Sequence, residues 1–239
     1  MKKLAVLASG EGTIFQSIVD HIKLGILVGV EPAVLVCNRP EAGVLKRAER
    51  AGVHAVLIPH KRPDGSRRDR EEFEAEIVDI LKSKGVDLVF LAGWDKVLGP
   101  TFVNEFKLRA MNVHPSLLPA FAGLYGLEVH KNVLSRGCKV SGTTVHYIDY
   151  GIDTGPIILQ AAVRVRSDDT PESLSERVRM VERLIVPMAI QLHVDGRLEV
   201  KDNVVRADLS GHWLDMWRKR QSRYLSRWGL GDEDLFLSL

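Results

Sequence analysis

An amide and an imidazole two residues apart, Asn112 and His114, end an apolar run that begins at Leu108. In a strand alternate side chains share a face, so the two groups point the same way from a strand end. Pro115 cannot continue a central strand, and it turns the chain out just after the imidazole, at an edge that a substrate can reach. An Asn that donates hydrogen bonds and a His that carries a proton, oriented by a distant carboxylate, can stabilise and collapse a tetrahedral acyl-transfer intermediate. Asp153, in Asp153-Thr154-Gly155-Pro156, is the candidate carboxylate. Taken singly, His114 reads as a structural histidine and Asp153 as a turn residue; together with Asn112 they read as one site.

The elements that must position these groups follow from apolar periodicity. Leu4 to Ala8 reads as a strand, Ser9 to Gly12 as a glycine turn, and Thr13 to Lys23 as a helix with Ile14, Ile18 and Ile22 on one side. The alternation repeats with a strand at Ala33 to Cys37, a helix at Val44 to Ala51, a strand at Ala55 to Ile58, a helix at Arg70 to Lys84 and a strand at Leu88 to Ala92. Strands that are apolar throughout and alternate with helices predict a Rossmann-like parallel sheet covered on both faces, an α/β fold. The second half is β-rich, with runs at Lys139 to Asp149 and Ile157 to Val165 expected as antiparallel additions to the mostly parallel sheet. A long helix over Glu176 to His193, entered at Asp169-Thr170-Pro171-Glu172, and a β-ribbon at Arg197 to Val200 and Val204 to Arg206 complete the expectation. We expect one domain over residues 1–200, followed by a β-ribbon and an aromatic and basic tail over 201–239 that is not a domain of its own.

The turn Ser9-Gly10-Glu11-Gly12-Thr13 reads either as a plain tight turn or as a single-phosphate site, since a helix N-terminus presents free amides to an anion. It is not a dinucleotide fingerprint. The third glycine would fall at Phe15, and Cys37-Asn38 stands where an acidic ribose ligand belongs. No nucleophile elbow and no nucleoside-triphosphate loop occurs.

Composition narrows the class. With 239 residues, 45% hydrophobic and 27% charged, the chain is ordinary globular material, and 33 Lys+Arg against 31 Asp+Glu leave +2, too balanced to argue for nucleic acid or a membrane surface. The two cysteines, Cys37 and Cys138, lack metal-ligand spacing and read as buried thiols of a reducing compartment. No apolar run approaches the ~20 residues of a membrane span, and Met1-Lys2-Lys3 leads into a strand, so a cytoplasmic address is expected.

The chain resembles the folate-dependent formyltransferases, and within them the phosphoribosylglycinamide (GAR) formyltransferases of purine biosynthesis. The resemblance runs from Lys3 to about Val200 on five segments: Leu7 to Thr13, Leu91-Ala92-Gly93-Trp94, Asn112 to Pro119, Ser141 to His146 and Gly151 to Ile158. It implies a formyltransferase fold, 10-formyltetrahydrofolate as formyl donor, no metal, and Asn112, His114 and Asp153 as catalytic residues. For GAR it implies contacts from Gly10, Glu11, Gly12, Thr13 and Ile14 at the phosphate, with Arg70, Asp95 and Glu182. For the folate it implies Leu91, Lys96, Val97, Leu98, Tyr150, Gly151, Ile152 and Thr154. His146 is expected to help position the site, and His130 to lie in a helix at the surface.

The chain departs from the family at two places. Gly12-Thr13-Ile14 stands where Gly-Ser-Asn is usual, and Asp95-Lys96 where Met-Arg is frequent. Asp95 reads either as a partner for the substrate amine or as one for Lys96 or another nearby residue. Arg67 and Arg68 are expected at the surface.

The nearest rival activity is 10-formyltetrahydrofolate deformylase, with water in place of the amine; that family carries a preceding regulatory domain and usually His-His-Ser where this chain has His114-Pro115-Ser116. Methionyl-tRNA formyltransferase would need a C-terminal barrel larger than the 39 residues after Val200. A scaffold that binds folate without transfer is the reading from a different class. In the tail, Trp213, Trp217, Tyr224, Leu225 and Trp228 lie among Arg218, Lys219, Arg220, Arg223 and Arg227, a stripe suited to packing on its own domain or a twin subunit, with RNA as the alternative. Small-molecule substrates and a monomer or homodimer are expected.

Overall fold

The computed structural model describes residues 1–228, without the side chains of Arg227 and Trp228, so those two members of the expected stripe and the tail from residue 229 onward lie outside the described residues. Seven strands form the main sheet: β1 (Lys2–Ala8), β2 (Val30–Cys37), β3 (Ala55–Leu57), β4 (Leu88–Leu91), β5 (Ala110–His114), β6 (Val140–Tyr147) and β7 (Ile157–Arg164). Their order is β3-β2-β1-β4-β5-β6-β7. The pairs from β3 through β5 are parallel, and β5 with β6 and β6 with β7 are antiparallel. The fold is thus the expected parallel α/β sheet with antiparallel additions. Strand order reverses between β1 and β4, and ligands of open α/β sheets bind outside the strand carboxyl ends at such a point.

Both faces of the sheet are buried, which is why its first five strands carry no polar alternation. Along β1, Leu4, Val6 and Ala8 enter one apolar layer and Ala5 and Leu7 the other. The first layer is covered by α1 (Thr13–Lys23), α2 (Gly43–Ala51), α5 (Leu127–Ser135) and α6 (Pro171–Val194), the second by α3 (Arg70–Ser83) and α4 (Pro100–Glu105). The short helix α4 was not expected. Its six residues carry too little periodicity to stand out, and only Pro100 at its first turn announces it.

Helix α6 begins five residues before the expected Glu176. Thr170 caps it with a reciprocal bond to Ser173, so the entrance signature itself opens the helix. Pro187 lies inside α6 and cannot donate to the carbonyl of Arg183. Ser17 Oγ of α1 donates to that carbonyl instead, at 2.7 Å.

Beyond the ribbon of β8 (Leu198–Lys201) and β9 (Val204–Ala207), helix α7 (His212–Trp228) packs on its own domain. Trp213 and Trp217 stack in parallel 5.9 Å apart. Trp213 Nε1 donates to Asp195, Gln221 to the Leu184 carbonyl, and Tyr224 lies over His21 at 4.1 Å. Cys37 is buried and Cys138 half-buried, and neither is in a disulfide. Among the described residues no helix is long and apolar enough to cross a membrane.

Candidate active site

A cavity of about 570 Å³ opens at the carboxyl ends of the strands, where β1, β4 and β5 meet α6. One end is the turn Gly10 to Ile14, the middle holds Asn112, His114 and Asp153, and the segment Leu91 to Leu98 with Gly151 and Ile152 lines the other side. Gly12 sits at φ 73°, and a Cβ there would lie 2.4 Å from Val44, so only glycine lets α1 start against α2. No side chain caps α1, which leaves its first-turn amides available to an anion.

The three central residues come together as expected. Asn112 and His114 are one pleat apart on β5, and the antiparallel register sets His146 of β6 directly opposite Asn112. Asp153, at φ 57°, is delivered by the loop after β6. That loop folds back because Gly155 presses on the Tyr147 carbonyl, where a Cβ would come within 1.9 Å. Asp153 Oδ2 stands 3.2 Å from His114 Nδ1 and accepts from the Gly123 amide at 3.0 Å. Its Oδ1 lies 3.6 Å from His146 Nε2. His114 Nε2 meets the Phe121 carbonyl at 3.1 Å.

The histidine network also sets the Asn112 amide. His146 Nδ1 lies 2.8 Å from the Tyr147 carbonyl, which can only accept, so that nitrogen carries a proton. In the neutral ring Nε2 is then bare and accepts from Asn112 Nδ2 at 3.4 Å, which turns the NH2 group to this side. Burial pushes the Asp153 carboxyl up, but hydrogen bonds from His114 and the Gly123 amide outweigh it and hold it well below the usual carboxylate range. Burial pushes the Glu182 carboxyl up to about 7 against the pull of Arg179, His114 and Arg183.

Of the remaining expected residues, Gly10, Glu11, Gly12, Thr13, Ile14, Leu91, Lys96, Val97, Leu98, Gly151, Ile152 and Glu182 line the cavity. Three do not. Arg70 pairs with the buried Glu74 at 2.9 Å, and Glu74 also caps α4 through the Gly99 amide at 2.6 Å, so the Arg70 guanidinium is held on α3. Tyr150 donates to Asn104 at 2.5 Å, and Thr154 to Asp149 at 2.7 Å. Asp95 lines the cavity with its carboxylate already engaged by Arg39, Asn38 and Ser9, so it is not a free partner for a substrate amine.

His130 corrects the expectation of a surface position. It is 2% exposed, lines the cavity, and its Nδ1 has no hydrogen-bond partner among the described residues. Burial, with Arg179 and His114 nearby, lowers its pKa to about 4, so the ring is neutral. Arg179 is a cavity residue that sequence reasoning missed. Ser175, Arg179 and Glu182 recur at i, i+4 and i+7 on α6, and that spacing was the signal that would have found it. Arg68, expected at the surface, is tied to Glu72 and Glu76. Among the described residues no group of His, Cys, Asp and Glu is placed to hold a metal.

Known proteins are similar to this chain along most of its length. Phosphoribosylglycinamide formyltransferase of Haemophilus influenzae is 37% identical over 211 residues, which is 87% of this chain and 94% of that protein. The trifunctional purine biosynthetic protein adenosine-3 of Drosophila melanogaster is 38% identical over 204 residues, and the chain spans 15% of its length. The crystal structure of glycinamide ribonucleotide transformylase 1 from Symbiobacterium toebii superposes with a TM-score of 0.80 at 42% identity, over 87% of this chain and 94% of that one. The sequence model of the formyl transferase family matches residues 2–190, the stretch that builds the sheet, the cavity and the Asn112, His114 and Asp153 group, and the chain therefore belongs to the formyl transferase family.

Proposed function

We propose that the chain transfers the formyl group of 10-formyltetrahydrofolate to the amine of 5-phosphoribosylglycinamide, giving formyl-GAR and tetrahydrofolate, a step of purine biosynthesis. One observation carries the reading. A single cavity runs from an uncapped helix N-terminus suited to a phosphate, past an amide, imidazole and carboxylate group, to an apolar wall suited to a pterin. The relatives that match this chain along nearly their whole length carry that activity in their names.

The phosphate sits on the amides of Gly10 to Ile14, with Arg179 supplying the positive charge that the family resemblance assigns to Arg70. Glu182, on the same face of α6, accepts from ribose hydroxyls. The amine attacks the formyl carbon, and charge grows on the formyl oxygen. That oxygen takes the place of the Phe121 carbonyl at His114 Nε2 and a second bond from the Asn112 NH2 group. Asp153 stabilises the imidazolium from the Nδ1 side. Collapse breaks the bond between carbon and folate nitrogen, and the proton lost by the amine passes through a water ordered by Asp153 to that nitrogen. No covalent enzyme intermediate is needed.

The test is formyl transfer by the purified chain with GAR, water and charged initiator tRNA as alternative acceptors. Formyl-GAR and tetrahydrofolate should appear in equal amounts with GAR alone. Formate release at the same rate with and without GAR would make the enzyme a deformylase and overturn the reading.

A further inference from the structure

Asp95, in the segment after β4, gathers donors from two other strand ends. Ser9, just after β1, donates from Oγ to Asp95 Oδ1 at 3.0 Å and accepts from the Asp95 amide at 3.0 Å. Asn38, just after β2, donates to the same oxygen at 2.7 Å. Arg39 engages Oδ2 through Nε at 2.9 Å and through its terminal nitrogen. Lys96 Nζ is 3.8 Å away, and the carboxylate is 7% exposed. These bonds do two things to the cavity. They tie Ser9, the residue before Gly10, to the segment after β4, a tie completed by the Ser9 amide on the Gly93 carbonyl at 3.1 Å. They also put a sheltered negative charge next to the turn where a phosphate binds.

Burial pushes the Asp95 carboxyl up, but the bonds from Asn38, Arg39 and Ser9 outweigh it and keep it ionised. Left unpaired, that charge would repel a phosphate on the turn across a poorly screened path. Arg39 cancels it. Its side chain is 60% exposed and does not line the cavity, so it reaches an acceptor only through Asp95. We propose that Arg39 and Asp95 form a charge-cancelled strap that sets selectivity for a phosphorylated acceptor: Asp95 fixes the Ser9 to Gly12 turn, and Arg39 removes the repulsion that this carboxylate exerts on the phosphate. Both are positioning residues, and the inference rests on the reading of the turn as the phosphate end.

Steady-state kinetics on Arg39→Ala, Asp95→Asn and the double variant test it. Arg39→Ala should raise KM for GAR about tenfold, from a carboxylate left with only the more distant Lys96 as counter-charge beside a dianion, with kcat and the folate KM within about twofold. In the double variant no carboxylate charge remains to cancel, and KM for GAR should return to within about threefold of the unsubstituted value. A pair that merely held the fold would behave differently, leaving the double variant at least as damaged as the worse single. That result, or an equal rise in both KM values for Arg39→Ala, overturns the proposal. If Arg39→Ala is not recovered folded, Arg39→Gln keeps a donor while removing the charge, and the same loss and rescue are required of it. Failure of the unsubstituted chain to formylate GAR would sink the functional reading, whereas transfer to GAR without rescue would sink only the strap.

Discussion

Asp153→Asn should leave the protein folded and slow turnover by about a hundredfold or more. The substitution tests charge and not shape. The amide oxygen can take the Oδ2 place and accept from His114 Nδ1 and the Gly123 amide, now at 3.2 and 3.0 Å. The NH2 group then replaces Oδ1, 3.6 Å from His146 Nε2, which bears no proton to clash with it because the Tyr147 carbonyl holds the proton on Nδ1. What disappears is the attraction between carboxylate and imidazolium. Unit charges 3.2 Å apart attract by about 5 kcal/mol at an effective dielectric of ~20. If half of that develops only as His114 becomes fully charged beside the oxyanion, turnover falls about a hundredfold. The assay is kcat with both KM values and a thermal melt. KM for GAR should stay within about threefold, since the interaction is made chiefly in the transition state. Folate KM should rise more than KM for GAR, because Asp153 belongs to the loop that lines the folate side. His114→Ala should match the loss, and the double variant should be only slightly worse than the poorer single. Near-normal turnover by a folded Asp153→Asn protein would refute the assignment of the carboxylate to the imidazolium.

Glu182→Gln separates stability from binding. The folded carboxyl keeps its proton up to about 7 while the unfolded one releases it near 4.5, so its contribution to stability is complete below 4.5 and lost as pH rises through 7. The variant should therefore melt a few degrees higher than the parent at pH 8, yet show a GAR KM raised by roughly tenfold. His21 has the opposite sign. Burial lowers it to about 4 from 6.5, so stability is full above 6.5 and drains as pH falls toward 4. His21→Phe, which keeps a ring under Tyr224, should flatten urea midpoints between pH 7 and 4.5. Trp217→Ala removes a side chain that is 2% exposed and should lower the melting temperature by roughly 10 °C with turnover at 20 °C little changed. GAR should protect against thermal unfolding and the riboside lacking phosphate should protect far less; equal protection would remove the anion site from the turn.

Much of this protein is legible in one dimension. Apolar runs of four to eight residues separated by helical spacing determine a two-faced parallel sheet, because a strand buried on both sides has no reason to alternate. Asn112 and His114 share a face by the two-residue period of a strand, and Pro115 ends that strand at the cavity wall. Even Arg179 was available in the i, i+4, i+7 row on α6. Partner choice is where local rules end. Arg39 and Asp95 are 56 positions apart and meet only because β2, β1 and β4 are neighbours, so their carboxyl ends open on the same crevice. Arg70 reads as a free cation until Glu74, one helical turn on, is found buried and in need of a counter-charge. His130 reads as a surface residue until α5 is laid against α6 and its ring is enclosed beside Arg179. Periodicity fixes which way a side chain points, but only the order of the strands and the packing of helices over them decide what stands opposite.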